Sequence, residues 1–365
     1  MKKNFFIIFT IFNFFLFVSK FLTAAPLCSI PEEIKLTNET PEQTDTNNAN
    51  KNNENEENKS EEEIEDEKEI EISDLHYYID DKEIPVENGK LTMDLPTLGN
   101  KTLVAKFKIE EKTVEVEKEM RLLAASAPEV YTYEIVNSYP HDTGAYTQGL
   151  EFHNGILYES TGKRGNSSVR KIDFETGEIL QRINMDATIF GEGITIMDDK
   201  LYQLTWQSGM GFVYDISNLE KIKNFVYGKS REGWGLCNDG DKIFKSDGTE
   251  KIWFLDPETL EEQGYIETAT NKSIFNMANE LEYVNGKIYA NVYQKESMMI
   301  IDATSGAIEG VINFGGLKNK VNKGPEWDEG NSVLNGVAYH PERETFFVTG
   351  KNWDKLFEVK IRKKD

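Results

Sequence analysis

The sequence predicts an all-β protein, a five-bladed β-propeller preceded by a small antiparallel β module of immunoglobulin-like type. Two recurrences and one flanking pattern predict it. Five segments share one grammar, in which a glycine or its equivalent leads into a short apolar strand, a tight turn and a second strand ending in polar or aromatic residues. They run from Gly149-Leu150 to Gly162, Gly193-Ile194 to Trp206, Gly235-Leu236 to Gly248, Leu281-Glu282 to Tyr293 and Gly336-Val337 to Lys351, with starts 44, 42, 46 and 55 residues apart. Four of them are followed by a further strand with an aspartate at its turn, Asp173, Asp215, Asp256 and Asp302, spaced 42, 41 and 46. A period near 45 made only of strands and turns is the length of a four-stranded propeller blade, and a β-helix would need shorter rungs. Residues 129–365 divide into five such units. The alternating Tyr131, Tyr133, Ile135 ahead of the first repeat and Leu356 to Val359 after the last are expected to close the ring within shared sheet.

Upstream, Leu103, Ala105, Phe107 and Ile109 alternate with polar residues, as do Val114 and Val116 beyond the turn Glu110-Glu111-Lys112. With the turns at Asp80-Asp81-Lys82 and Glu87-Asn88-Gly89, this predicts the small β module over residues 71–123, with a spacing or docking role. Residues 25–70 read as a disordered acidic linker, because Asn, Glu, Lys and Thr cannot bury enough surface to offset the entropy of ordering. Residues 1–24 read as a signal peptide: Lys2 and Lys3, an apolar run from Phe5 to Val18, then Thr23, Ala24 and Ala25. The expected location is outside the cell proper, secreted, periplasmic or at the envelope; left uncleaved, the same segment would tether the chain to a membrane. Of the two cysteines, Cys28 lacks the small preceding residue of a lipid attachment site, and Cys237 reads as a buried thiol.

Charge excludes one class of partner. The net charge is −23, but Glu39 to Asp74 alone carries 15 acidic residues against three lysines, so half of the total sits in the linker. No basic stripe is present that could replace counterions along a nucleic-acid backbone, and nucleic acid is not an expected partner. The chain is read as a monomer.

In a propeller the innermost strands line a central channel, so residues at one repeat position form a ring. Just before the first strand of each repeat stand Gln148, Glu192, Trp234, Glu280 with Asn279 before it, and Asn335; at the close of the second stand Gly162, Trp206, Gly248, Tyr293 and Lys351. Together they describe a pocket with aromatic walls, one well-placed carboxylate, and amide or ammonium groups. Glu192, between Gly191 and Gly193, has no competing partner next to it in sequence, and an acid in a partly dry aromatic site has a raised pKa suited to proton transfer near neutral pH. Glu151 and Glu282 lie inside strands and read as structural; Asp247 either lines the pocket or makes its own turn. Four histidines in no ligand spacing, cysteines without a histidine neighbour and the lack of a phosphate-cradling glycine loop leave no metal site, thiol nucleophile or nucleotide site to propose.

The motifs Tyr146-Thr147-Gln148-Gly149-Leu150, Phe190-Gly191-Glu192-Gly193, Leu204-Thr205-Trp206, Gly233-Trp234-Gly235, Asn279-Glu280-Leu281-Glu282 and Asn291-Val292-Tyr293-Gln294 resemble the plant and bacterial glutaminyl cyclases. Leu157 to Gly162 belongs to the same match, which covers some 220 residues and leaves out the N-terminal module. The resemblance implies a five-bladed propeller that converts the N-terminal Gln of peptides or proteins to pyroglutamate with release of ammonia and without a cofactor. It implies Glu192 as general acid/base, aromatic walls at Tyr146, Trp206, Trp234 and Tyr293, and polar substrate contacts at Gln148, Asn279 and Lys351. Tyr146 stands where phenylalanine is common in the family and Tyr293 where tryptophan is, which bears on substrate preference. Two other readings stay open on the residues: a non-catalytic propeller that binds peptides or glycans, and a lactonase with a metal cage drawn from Glu280, Asn279 and Asn335.

Overall fold

The computed structural model describes residues 69–87 and 90–364 together with the short strands Ile7–Thr10 and Glu33–Lys35. The rest of the expected signal segment and acidic linker, Cys28 included, lies outside the described residues. The chain divides into two compact units, one comprising residues up to Leu95 and Lys101–Met120, the other Pro96–Asn100 and Arg121–Asp365.

The first unit is built on Glu69–Ile79 and on the parts of the strands Gly99–Ile109 and Lys112–Leu122 that lie between Lys101 and Met120, with Lys82–Ile84 paired on the first of these. The tight reversals fall where acidic turn residues take positive φ: Asp80 and Asp81 before Lys82, and Glu110 before Lys112. Alternation gives it one apolar side, with Tyr77, Ile79, Ile84, Leu103 and Ala105 buried.

The second unit is all-β and propeller-like. Three antiparallel four-stranded sheets follow one another in strict sequence order. The first contains Thr147–His153, Ile156–Thr161, Ser168–Asp173 and Glu178–Asn184. The second spans Gly191–Met197 to Lys221–Val226, and the third Leu236–Asn238 to Glu262–Glu267. The remaining strands form one eight-stranded sheet made of two halves: Ala278–Val284 to Ile308–Asn313, and Leu334–His340, Thr345–Gly350, Lys355–Lys363 with Glu129–Pro140. Glu129–Pro140 joins the halves. It runs antiparallel to Lys355–Lys363 from Pro140 opposite Lys355 to Tyr131 opposite Lys363, and parallel to Ile308–Asn313 through three residues. The two flanking segments expected to share a sheet do so.

The recurrent aspartates explain the regular spacing. Asp173, Asp215, Asp256 and Asp302 each accept, through Oδ1, backbone N–H groups of the turn that follows, at Glu175, Ser217, Glu258 and Ser305 in that order. A side chain that satisfies its own turn is worth keeping at every repeat. Apolar faces of successive sheets then pack together: Leu150, Leu157 and Phe174 of the first sheet lie in one cluster with Phe347 and Leu356 of the last.

The inner strands approach one another backbone to backbone. A Cβ on Gly149 would stand 2.6 Å from Ile194 N, one on Gly193 2.7 Å from Gly235 Cα, and one on Gly235 2.0 Å from Asn279 O. Side chains are excluded there by contact, which accounts for the repeat's leading glycine.

Candidate active site

The residues singled out on the inner strands do not precede those strands, as the repeat grammar suggested, but sit within four of the five, on β-bulges. Register slips between Thr147 and Gly149, Gly191 and Ile194, Ala278 and Leu281, and Leu334 and Val337. The slipped positions carry Gln148, Glu192, Asn279 and Asn335. A bulge frees a residue from the ladder and re-aims its side chain, which is how a strand interior presents a polar group out of its own sheet. The third sheet begins later, at Leu236, with Trp234 just ahead of it held by its N–H to Ser246 O at 3.0 Å.

The second ring of residues is fixed by one repeated bond. The N–H of Gly162 donates to Tyr146 O, that of Trp206 to Phe190 O, that of Tyr293 to Met277 O and that of Lys351 to Val333 O, at 2.8 to 3.1 Å. In the third sheet the second strand ends at Ser246, so Asp247 and not Gly248 follows it directly. Gly248 has φ of +81°, and a Cβ there would lie 2.5 Å from the Trp234 ring.

These two rings bring the expected residues together. Lys351 Nζ stands 4.9 Å from the centroid of Tyr146 and 5.5 Å from that of Tyr293. Tyr293 packs edge-on to Trp234 at 5.3 Å. On the other side Tyr146 meets Phe190 at 6.1 Å, and Phe190 meets Trp206 at 5.5 Å. The amides form a chain beneath: Asn279 Nδ2 donates to Asn335 Oδ1 at 2.8 Å, and Asn335 Nδ2 donates to Gln148 Oε1 at 3.2 Å and Thr147 O at 2.9 Å. Gln148, Asn279 and Lys351 are buried, whereas the aromatic walls are half-exposed.

Glu192 is 5% exposed, and among the described residues no group hydrogen-bonds its carboxyl. Burial pushes its pKa well above the carboxylate range, the positive charge of Lys351 pulls it back, and Glu232 adds a small upward push. Burial likewise lowers the Lys351 ammonium to about 8, against the pull of Glu192. Each group favours the neutral form by desolvation and the ionised form by the other's charge.

The other acids are placed differently. Glu280 occupies the repeat position held by Gly149, Gly193, Gly235 and Gly336 elsewhere, and its oxygens accept from Leu150 N at 3.1 Å and Val337 N at 2.7 Å. Desolvation raises its pKa, as it does those of Glu282 and Glu151, the last to about 8. Glu151 accepts from Ile196 N at 3.0 Å and Glu282 from the Tyr339 backbone, so the strand acids read as structural are bound into the scaffold. Glu159 is fully buried, yet it pairs with His141 at 2.9 Å and accepts from Thr147 Oγ1 at 2.7 Å. Desolvation opposes its ionisation, but these partners and Arg170 hold its pKa below the usual value. Asp247 accepts from Trp253 Nε1 at 2.8 Å and from Thr249.

Two contributors escaped the sequence reading. Phe190 is the aromatic link between Tyr146 and Trp206. Glu232 Oε2 accepts from both indoles, Trp206 Nε1 at 2.7 Å and Trp234 Nε1 at 2.9 Å, while Oε1 accepts from Gln207. Its one sequence signal was an acid two residues before a tryptophan.

A family model described as glutamine cyclotransferase matches residues 104–361. The chain belongs to the glutamine cyclotransferase family. The match reaches back into the 71–123 segment, so the resemblance extends further upstream than the motifs showed. Among curated members of this family, the Arabidopsis thaliana glutaminyl-peptide cyclotransferase is 40% identical over 232 residues, 63% of this chain and 71% of the plant protein. The crystal structure of the Myxococcus xanthus glutaminyl cyclase is 33% identical, covers 65% of this chain and all of the bacterial one, and superposes with a TM-score of 0.60.

Proposed function

We infer that this cyclotransferase is a glutaminyl-peptide cyclotransferase, of the aminoacyltransferase class, in which Glu192 moves the proton at the mouth of a five-bladed propeller. The blade count rests on the three four-stranded sheets and the two four-stranded halves joined by Glu129–Pro140. The observation that carries the chemistry is a buried carboxyl that, among the described residues, accepts no hydrogen bond and is pulled by the charge of a buried ammonium lying against two of the aromatic walls.

The reaction is intramolecular aminolysis. The α-amine of an N-terminal Gln attacks its own γ-carboxamide carbon; a C–N bond forms, and the bond to the carboxamide nitrogen breaks. Proximity is built into the substrate. Glu192 takes the proton that the attacking nitrogen must lose and returns it to the leaving nitrogen, which departs as ammonia. Lys351 and the amides of Gln148 and Asn279 supply donors for the oxygen that gains charge between the two steps. Trp206, Trp234, Tyr293 and Tyr146 keep water out and hold the folded-back side chain. Glu232 fixes the two indole planes. The N-terminal Lys2, Lys3 and apolar run support an exported enzyme acting on secreted or envelope peptides.

Ammonia release from a peptide with free N-terminal Gln tests this reading, with an N-acetylated peptide as control. Turnover of the free peptide alone is the expected result, unaffected by a chelator. Chelator-sensitive turnover would favour the lactonase reading, although the carboxylate of Glu280 and the amide oxygen of Asn335, which a metal cage would need, are engaged in bonds to the scaffold. Binding without turnover of either peptide would favour the non-catalytic reading.

A further inference from the structure

Beside the site lies a cleft of about 560 Å³ that shares Glu232 and Asp247 with it. Glu232 holds the Trp206 and Trp234 indoles, and Asp247 follows the strand end at the position equivalent to Trp206, Tyr293 and Lys351. For a chain whose first residue is held by those aromatics, this cleft is a neighbouring place for its next residues. The cleft has an aromatic floor, Trp253 and Tyr265, whose rings meet edge-on at 5.1 Å.

Its cations are unusual for an acidic protein. Lys229, Arg231 and Lys251 line it, and among the described residues none of the three forms an ion pair. Lys251 is held over both rings, 5.6 Å from the Trp253 centroid and 4.3 Å from that of Tyr265. Three acids also line the cleft, Glu232, Asp247 and Glu250, so the formal charges balance. Two of them have spent their oxygens, however: Glu232 on two indoles and Gln207, Asp247 on Trp253 and Thr249. The capacity left for hydrogen bonding is mostly that of donors, on Arg231 and the two lysines. Direct pairing, not a long-range field, sets what binds.

We propose that this cleft is a subsite for the residues following the N-terminal glutamine, and that it selects substrates bearing a carboxylate side chain there. The proposal rests on the cyclotransferase reading and names the substrate class that reading leaves open. The carboxylate would pair with Arg231 and Lys251 while its methylenes lie on Tyr265.

The test uses three amidated peptides, Gln-Glu-Ala-Ala, Gln-Ala-Ala-Ala and Gln-Lys-Ala-Ala, with the full chain and the double variant R231Q/K251Q. In the parent, kcat/KM for the acidic peptide should exceed that for the basic one about tenfold, chiefly through KM. The double variant should lose that ratio and keep its turnover of the alanine peptide. Equal rates for the three peptides in the parent, or a ratio that survives in the variant, would overturn the subsite. Calorimetric titration with the pyroglutamyl forms of the acidic and basic peptides gives an independent reading, with tighter binding of the acidic form in the parent only. If no peptide is turned over, the cyclotransferase reading fails. If all are turned over alike, only the subsite does.

Discussion

Glu192 and Glu280 occupy neighbouring repeat positions on inner strands, both are buried, and desolvation raises the pKa of both. Glu280 spends its two oxygens on Leu150 N and Val337 N, tying the first, fourth and fifth groups of strands together. Among the described residues Glu192 accepts no such bond, and the charge of Lys351 acts on it instead. A raised pKa alone therefore does not mark a catalytic acid, because a carboxyl used as a brace in a dry interior acquires one as well. What separates them is whether the lone pairs are committed to the scaffold. Glu159 makes the complementary point: burial is as deep as that of Glu280, but His141 and Arg170 beside it hold its pKa below the usual value.

The strongest way to break this contrast is Glu192→Gln. Turnover is expected to fall about 10² to 10⁴-fold with KM little changed, since the amide keeps the shape and cannot move the proton. Thermal unfolding should be unaltered, because no scaffold bond is lost. A variant within a few-fold of the parent would refute the acid/base role. Glu280→Gln should do the opposite. Its NH₂ must face one of two backbone N–H groups, leaving a buried donor unsatisfied at about 1–3 kcal/mol. For a unit of this size that corresponds to a melting temperature lower by about 2–10 °C, with the folded fraction still active.

Two pH measurements sharpen the comparison. With Lys351 at about 8, the alkaline limb of kcat/KM should fall near that value, and Lys351→Arg should move it upward while retaining activity. An unmoved limb would assign it to the substrate amine. Glu151, with a pKa of about 8, keeps its proton in the folded chain where the unfolded chain releases it near 4.3. Stability from this group is complete below the unfolded value and is lost as pH rises toward 8. Melting scans from pH 5 to 8 should show a decline that Glu151→Gln reduces. The smallest effect is expected for Glu232→Gln, which should raise KM a few-fold by loosening two indoles, with kcat kept. A loss confined to kcat would place Glu232 at the reacting atoms.

The ring of side chains was legible because its members break a repeat that otherwise needs only apolar strands and turns. Glu192, Trp206, Trp234, Tyr293 and Lys351 stand where structure alone imposes no identity. Bulges were not legible, since a register slip of one residue depends on the neighbouring strand and leaves no mark in the segment that carries it. The same blindness shifted the third repeat by one residue, from Asp247 to Gly248. Glu232 was missed because it lies outside the repeat positions, in a connection shaped by what it holds. The long last interval, 55 residues, reflects the connection between Asn313 and Leu334, which contributes no strand.

The seam formed by Glu129–Pro140 against Lys355–Lys363 has a consequence for biosynthesis. Tyr146 lies just inside one end of the ring and Lys351 just inside the other, yet their side chains meet at 4.9 Å, and Asn335 reaches Gln148 across the same join. A ribosome must release the chain past Lys363 before those partners can be held together. The ring is thus silent until its closing strand has emerged, and the appearance of cyclising activity would report the moment at which Lys355–Lys363 docks on Glu129–Pro140.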